Sequence, residues 1–250
     1  MRTARRLWLR PTIVGLLLLN GAAGAAANDD QADQPAPAPA NKLTLAYYDF
    51  SSGKSGADVN LRHTFKSMTA WVGGYAESDG FDQARIGYEY DYRSQWLTLV
   101  PSVQAATHGF VGATVYSEVG GRVFAIAGWG RTNLGPYWNL AFDPNDYVQF
   151  GAAVRDRSGN TISAYVIRDN RLDTGQTNTH VTVRRYLPDA WRLTVDAVSE
   201  RGRGDGGIDV NSWAVSVDAE ARRWFVRVAE DPHVNYTADR QFRIASGWRF

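Results

Sequence analysis

The sequence predicts an all-β fold: a closed antiparallel transmembrane β-barrel of 12–14 strands that follows a cleaved signal peptide. Three observations support this prediction. Apolar and polar residues alternate with a period of two along most of the chain, the alternating stretches are about ten residues long, and a direct count finds fourteen of them. Alternation puts one face of each strand towards lipid and the other towards the lumen, and an even number of such strands is typical of bacterial membrane barrels.

The composition excludes several other classes of protein. Cysteine is absent from the 250 residues, so there is no disulfide framework, no zinc site of the cysteine type and no thiol nucleophile. A formal net charge of +1 provides no electrostatic footprint for nucleic acid. The mean hydropathy of −0.36 excludes a bundle of membrane helices but not a membrane barrel, because alternating residues average out.

Residues 1–27 have the order of a secretory signal peptide: a basic stretch, a short apolar stretch and a run of small residues. The apolar run, 13–19, is too short to span a bilayer as a retained anchor, and cleavage is expected near 25–27. Removal takes away four arginines and no acid, which leaves 23 bases against 26 acids and a mature net charge of −3. The sequence therefore predicts export to a bacterial envelope.

The mature chain is predicted to be a tether followed by one barrel. Residues 28–41 end in alternating Pro and Ala, a composition that favours extended polyproline II structure, and are read as a semi-rigid periplasmic linker. The barrel takes up residues 42–250, with no second domain boundary.

Long and short connections alternate from residue 131 onward, as expected when tight turns face the periplasm and longer loops face outward. Within the longest connection, residues 136–142 read PYWNLAF and could be either a strand or part of a loop. The strand count therefore stays between twelve and fourteen.

Aromatic residues gather at strand ends, where their amphipathic rings suit a membrane interface. A soluble sandwich would place such rings at mid-strand, in its core. Two girdles are predicted. The first comprises Tyr92, Trp96, Tyr186, Trp191, Trp224, Trp248 and Phe250, and the second comprises Tyr47, Tyr48, Phe50, Tyr75, Phe81 and Trp129.

The last ten residues, QFRIASGWRF, form an alternating strand with a terminal aromatic residue. Together with the signal peptide and the alternation over about 209 residues, this strand resembles the final strand of bacterial outer-membrane β-barrel proteins. The resemblance implies that Ile244, Trp248 and Phe250 are the signal read by the barrel-assembly machinery. It also implies outer-membrane lipid and lipopolysaccharide as surroundings and a monomeric state. No subfamily motif is present, so the resemblance does not imply a substrate.

The alternation also assigns a polar inner face. The predicted lumen-lining residues are Arg62, Lys66, Arg85, Glu89, Asp91, Arg155, His180, Arg184, Arg192, Asp196, Asp218, Arg227 and Arg243. Such a lumen could pass small anionic or zwitterionic solutes, since charged rings set pore selectivity. Alternatively, these residues could pair across strands and close the lumen.

Catalytic chemistry has little support in the sequence. His180 is the one histidine predicted to face the interior, but its neighbour on that face is Thr182, and no G-x-S-x-G motif occurs. The segment 143–146, DPND, lacks the spacing of a dedicated calcium loop and is read as a turn. We therefore expect no catalytic residue, metal or cofactor.

Three functions remain open on these grounds. A small passive channel is favoured. The alternative is an accessory or structural barrel that serves envelope integrity or surface-polysaccharide export. A barrel enzyme that modifies lipid A or phospholipid is the least supported.

Overall fold

The structure is a computed structural model that describes residues 39–140, 143–204 and 207–250. The predicted signal peptide and nearly all of the predicted linker lie outside these residues. In the part of the chain that the structure describes, no helix is both long and apolar enough to cross a bilayer.

Fourteen β-strands account for about two thirds of the described residues, in agreement with the direct count from the sequence. The fourth strand is interrupted at Asp91 and continues for two residues. The strands are β1 Asn41–Phe50, β2 Ser55–Phe65, β3 Met68–Glu77, β4 Asp82–Tyr90 with Tyr92–Arg93, β5 Leu97–Ala106, β6 Phe110–Gly120, β7 Val123–Thr132, β8 Tyr147–Arg155, β9 Thr161–Asp169, β10 Thr177–Tyr186, β11 Arg192–Arg203, β12 Asp209–Glu220, β13 Trp224–Asp231 and β14 Gln241–Arg249.

The sheet closes on itself. Each strand pairs antiparallel with its neighbours in sequence, and β14 pairs with β1 over a register that runs from Lys42 opposite Arg249 to Phe50 opposite Gln241. Two further backbone bonds, of 2.9 and 3.0 Å, join Asn41 to Phe250. Closure leaves no unpaired edge, which is the condition for a sheet to stand in hydrocarbon.

The two faces of the barrel differ sharply in chemistry. On β14 the side chains of Phe242, Ile244 and Trp248 are exposed on the outside, whereas Gln241 and Arg243 are buried inside. On β12, Trp213 is 65% exposed while the adjacent Ala214 is 1% exposed. An exterior covered by large apolar side chains is unfavourable in water and suits contact with lipid.

One aromatic girdle is present as predicted, at the end of the barrel that carries Asn41 and Phe250, which we call the terminal end. All seven rings predicted there are exposed. The prediction for the opposite end, the loop end, is partly wrong. Tyr47 and Trp129 face outward, but Tyr48, Phe50 and Tyr75 occupy inward positions and are 2–3% exposed.

The connections follow the predicted asymmetry in the second half of the barrel. Those at the terminal end span at most five residues, whereas the longest connection, 133–146 between β7 and β8, lies at the loop end. Its residues 133–139 form neither strand nor helix. Rather than extending away from the barrel, the described residues of this connection turn into the lumen, and we call the connection the infolded loop.

Candidate functional site in the barrel lumen

The outgoing limb of the infolded loop is fixed to the barrel wall on two strands. The ring of Tyr137 stacks on that of Phe110 on β6, with 4.1 Å between centroids. The backbone of Trp138 forms two bonds with the side chain of Gln83 on β4: its N–H donates to Oε1 at 2.8 Å, and its carbonyl accepts from Nε2 at 3.2 Å. The limb is therefore held by a specific pair of hydrogen bonds as well as by packing.

Beyond Trp138 the loop covers an aromatic cluster on the inner wall. Leu140 packs with Tyr48, Phe50 and Tyr75, and its carbonyl accepts a hydrogen bond from the guanidinium of Arg243. This contact explains the error in the predicted girdle, because these rings serve as the seat of the loop rather than as a membrane interface. The inward parity of these three rings in the alternation was the sequence signal that they do not belong to the girdle.

The returning limb is held by a histidine between two carboxylates. Nε2 of His180 lies 2.7 Å from Oδ1 of Asp143 on the loop, and Nδ1 lies 2.9 Å from Oδ2 of Asp196 on β11. Tyr165 stacks on the imidazole at 4.5 Å. Ionised carboxylates only accept hydrogen bonds, so the geometry requires both ring nitrogens to donate and the ring to be an imidazolium.

This arrangement gives His180 an anchoring role. The hydroxyl of Thr182 donates to Asp196 at 2.6 Å rather than to the ring, and both ring nitrogens already contact carboxylates. A general base needs a free nitrogen that faces a nucleophile. The surroundings of His180 do not supply one.

The end of the loop is fixed by a second buried carboxylate. Asp146 accepts from the backbone N–H and the hydroxyl of Thr132 at 3.0 and 2.8 Å, and from Arg171 at 3.0 Å. The segment 143–146 thus consists of anchors whose oxygens bind protein donors. Among the described residues no group of three or more His, Cys, Asp or Glu side chains is arranged to hold a metal ion.

Ion pairs line the wall of the lumen. Arg62 lies 3.2 Å from Glu89, Arg155 lies 3.0 Å from Glu118, and Arg227 lies 2.5 Å from Asp218. Arg85 pairs with Asp58, and Glu220 pairs with both Arg192 and Arg249. Paired charges are thus a main feature of the lumen. The sequence left open whether the inward charges line a passage or pair across strands, and in the structure many of them are paired.

Most of the residues predicted to line the lumen lie on inward strand positions. They are Arg62, Arg85, Glu89, Arg155, His180, Arg184, Arg192, Asp196, Asp218, Arg227 and Arg243. Two are placed elsewhere. Lys66 lies exposed in the β2–β3 turn with φ of 57°, and Asp91 lies at the break in β4, where it binds Arg93. Both belong to the terminal rim, because β2 ends at Phe65 and β4 is interrupted at Asp91.

The acidic partners Asp58 and Glu118 were missed at the sequence level. Asp58 shares the inward face of β2 with Asn60 and Arg62, and Glu118 shares that of β6 with Tyr116. The alternation rule alone was sufficient to find them. Their pairing with particular arginines depends on cross-strand register, which a single sequence does not supply.

The lumen is filled unevenly. Phe124, Ile126 and Ala153, with Tyr116 and Tyr165, pack into a cluster that occupies the side of β6–β9. On the opposite side, a cavity of about 110 Å³ lies below the infolded loop, bounded by β13, β14 and β1–β5. Tyr137 and Leu140 form its roof. We call it the vestibule.

A closed fourteen-strand barrel with an apolar exterior, an aromatic girdle and a polar lumen narrowed by a loop has the fold of the bacterial outer-membrane β-barrel proteins of the porin class.

No protein-family model and no curated protein matches this sequence. Among solved structures, the chain is similar to the outer membrane protein Omp33 of Acinetobacter baumannii, with a TM-score of 0.58 at 9% identity over 85% of this chain and 98% of that chain. It is also similar to the NanC porin, with a TM-score of 0.48 at 9% identity over 83% and 100% of the two chains. The KdgM porin is similar as well, with a TM-score of 0.45 at 9% identity over 84% of this chain and 99% of that chain. At this identity the likeness to Omp33 concerns the fold.

Proposed function

We propose that this chain is a passive channel of the bacterial outer membrane that admits small solutes, and that the infolded loop sets its bore. The observation that carries the proposal is the position of the loop. It enters the lumen and leaves a vestibule of about 110 Å³ below it, bordered by charged side chains. A polar passage with a narrow constriction is the arrangement by which membrane barrels pass small hydrophilic solutes and exclude large ones.

Export and insertion belong to the same proposal. Residues 1–27 act as a signal peptide, residues 28–41 remain as a periplasmic tether, and the barrel is inserted as a monomer by the assembly machinery into a membrane of phospholipid and lipopolysaccharide. The expected mature chain begins close to Asn28. Outer-membrane fractionation with heat-modifiable gel migration tests the location, and the intact mass of the purified protein tests the cleavage. A soluble periplasmic protein would contradict the proposal.

Solute entry into proteoliposomes tests the channel directly. Liposomes that contain the folded barrel are diluted into isosmotic solutions of uncharged solutes of increasing size, and swelling is followed by light scattering. We expect swelling with the smallest solutes and a steep fall as size increases, because the vestibule, with a volume of about 110 Å³, holds only about four water molecules at ~30 Å³ each. A folded barrel that admits none of them would contradict the proposal.

A structural barrel is the second candidate, and one observation favours it. The infolded loop is tied to β4, β6, β10 and β14 by hydrogen bonds and ring stacking, which is more than a freely moving gate requires. A barrel of this kind would support envelope integrity or surface-polysaccharide export without conducting. Absence of solute entry together with loss of envelope integrity on deletion would select it.

A further inference from the structure

The vestibule carries more positive than negative charge. Five cationic side chains line it, Lys42, Arg62, Arg85, Arg227 and Arg243, against one carboxylate, that of Asp58. Glu89 and Asp218 reach two of these arginines from positions outside the lining. Five cations against three carboxylates leave an excess of two positive charges around a narrow and partly enclosed space.

Lys42 contributes to this excess in a distinctive way. Its ammonium lies 4.3 Å from the centroid of the Phe225 ring, and within residues 39–140, 143–204 and 207–250 it forms no ion pair. An aromatic face stabilises a cation without neutralising it. Glu220 attracts this ammonium from beyond ion-pair distance but is itself paired with Arg192 and Arg249, so the positive charge of Lys42 remains available to an occupant of the vestibule.

The vestibule wall also contains buried polar atoms that have no hydrogen-bond partner among the described residues. They are the donors Nε1 of Trp71, Nη1 of Arg85 and Nε2 of Gln104, and the acceptor Oε1 of Gln104. The indole lies against Gly87, where an added Cβ would come within 2.1 Å of the ring, so its position is fixed by packing. Buried donors are costly unless something accepts from them.

Excess positive charge and unsatisfied donors call for the same kind of occupant. A water molecule accepts hydrogen bonds but leaves the charge unbalanced, whereas an oxyanion satisfies both requirements. Planar guanidinium groups bind carboxylate and phosphate oxygens through short charge-assisted hydrogen bonds.

We propose that the vestibule, with a volume of about 110 Å³, is a binding subsite for a small oxyanion, a carboxylate or phosphate group of about five non-hydrogen atoms, held by Lys42, Arg85 and Trp71. As part of the channel, the subsite makes the pore selective for small anions. The selectivity rests on the proposed function, but the binding does not.

Binding is measured on the full mature chain folded in detergent micelles. Sodium phosphate and sodium acetate are titrated separately by calorimetry at constant ionic strength, with choline chloride as a cationic probe. We expect saturable binding of at least one of the two oxyanions and none of choline.

Lys42→Gln is expected to weaken that binding about tenfold, the effect of losing one charge-assisted contact. Arg185→Gln, which removes an exposed charge of β10 outside the vestibule, is the control and should bind as the wild type does.

A second pair of variants separates charge from shape and covers failure of the Lys42 variant to fold. Thr44 lines the vestibule, so Thr44→Glu brings a carboxylate into it, while Thr44→Gln brings a neutral group of the same size. We expect Thr44→Glu to abolish oxyanion binding and Thr44→Gln to retain it. Equal binding by the two variants, or no binding of either oxyanion to the wild type, would overturn the subsite.

The reversal potential in a tenfold gradient of potassium chloride connects the subsite to the channel. We expect the sign of the reversal potential to show that chloride permeates more readily than potassium. The magnitude of this potential should be smaller in Lys42→Gln. Oxyanion binding without any conductance would overturn the channel and leave the subsite standing. Conductance with selectivity for potassium would overturn the anion selectivity.

Discussion

At the scale of single residues, the lumen is organised by a few buried charges that hold the infolded loop. His180 joins three elements: the loop through Asp143, β11 through Asp196, and β9 through the stacked ring of Tyr165. All three contacts are made by one imidazole ring. The one histidine that the sequence predicts to face the interior is therefore an anchor in the structure.

Replacing His180 with Leu is expected to lower the free energy of unfolding by about 3–5 kcal/mol, because two buried carboxylates lose their shared cation. The triple variant with Asp143→Asn and Asp196→Asn should recover part of this loss, since no charge is left without a partner. Urea titration of the folded barrels in micelles, read by heat-modifiable gel migration, provides the comparison. If the triple variant is less stable than His180→Leu alone, the anchoring role of His180 is contradicted.

Asp239 gives a pH-dependent test at the seam where the barrel closes. Its carboxylate accepts from the hydroxyls of Ser51 and Ser52 at 2.6 Å each and from the backbone N–H of Ser52 at 2.8 Å. Partial burial opposes ionisation, but these hydrogen bonds outweigh it and hold the pKa of Asp239 below its usual range. The stabilisation is therefore fully present above the pKa of the unfolded chain, about 4, and is lost as the pH falls through the lower folded value.

For Asp239→Asn we expect a loss of about 1 kcal/mol at pH 7, because a charged acceptor is exchanged for a neutral one. The difference from the wild type should shrink below pH ~4, once the wild-type carboxyl is protonated as well. The difference in stability between the two proteins is measured from their unfolding midpoints in urea at pH 7, 5 and 3. A difference that grows towards low pH would show that the sign of this linkage is wrong.

At the scale of elements, the last strand combines closure with a proposed assembly signal. β14 pairs with β1 along its whole length, while the side chains of Ile244, Trp248 and Phe250 point outward and are 40–48% exposed. Phe250 touches Trp248, with 5.1 Å between ring centroids. Its side chain therefore contributes little to packing inside the folded barrel and is accessible at the end of the chain.

Phe250→Ala should reduce the amount of barrel assembled in cells while leaving the yield of refolding from urea into micelles unchanged. The physical reason is that recognition of the terminal ring matters during insertion, whereas the folded barrel is held by its hydrogen-bond ladder. Phe242→Ala is the matched control, since it removes an exposed ring from the same strand away from the terminus. Equal losses in both variants would argue against a terminal signal.

The strands could be predicted from the sequence because alternation is a local property. Each strand needs only its own residues to show which face meets lipid, and the fourteen elements and the girdle of Trp224 and Trp248 follow from that rule. The infolded loop could not be predicted in this way. By their sequence, residues 136–142 fit a strand as well as a loop, and only contacts with distant strands, such as Gln83 with Trp138, determine the path of residues 136–140.

The same limit applies to the lumen. Alternation indicates that Arg85 faces inward, but its pairing with Asp58 depends on the register of β2, β3 and β4, which a single sequence does not fix. For Tyr48 and Phe50, position near a strand end favoured the membrane interface. Their alternation pointed inward, and in the structure it prevails over position.

At the scale of the whole molecule, the barrel is a lipid-facing wall around an asymmetric lumen. One side is packed with aromatic and aliphatic side chains, and the other holds the cationic vestibule beneath the infolded loop. Closure of β1 on β14 removes every sheet edge, so the wall is complete and the bore depends on what lies inside it. In the proposed channel, conduction is therefore expected to depend on the loop rather than on the number of strands.

Single-channel current in a planar bilayer tests this account most directly, by comparing the wild type with a variant in which residues 135–142 are replaced by a short Gly-Ser linker. We predict small uniform conductance steps for the wild type and clearly larger steps for the variant, because the roof of the vestibule is removed. A folded wild-type barrel that never conducts, or two proteins with the same conductance, would contradict it.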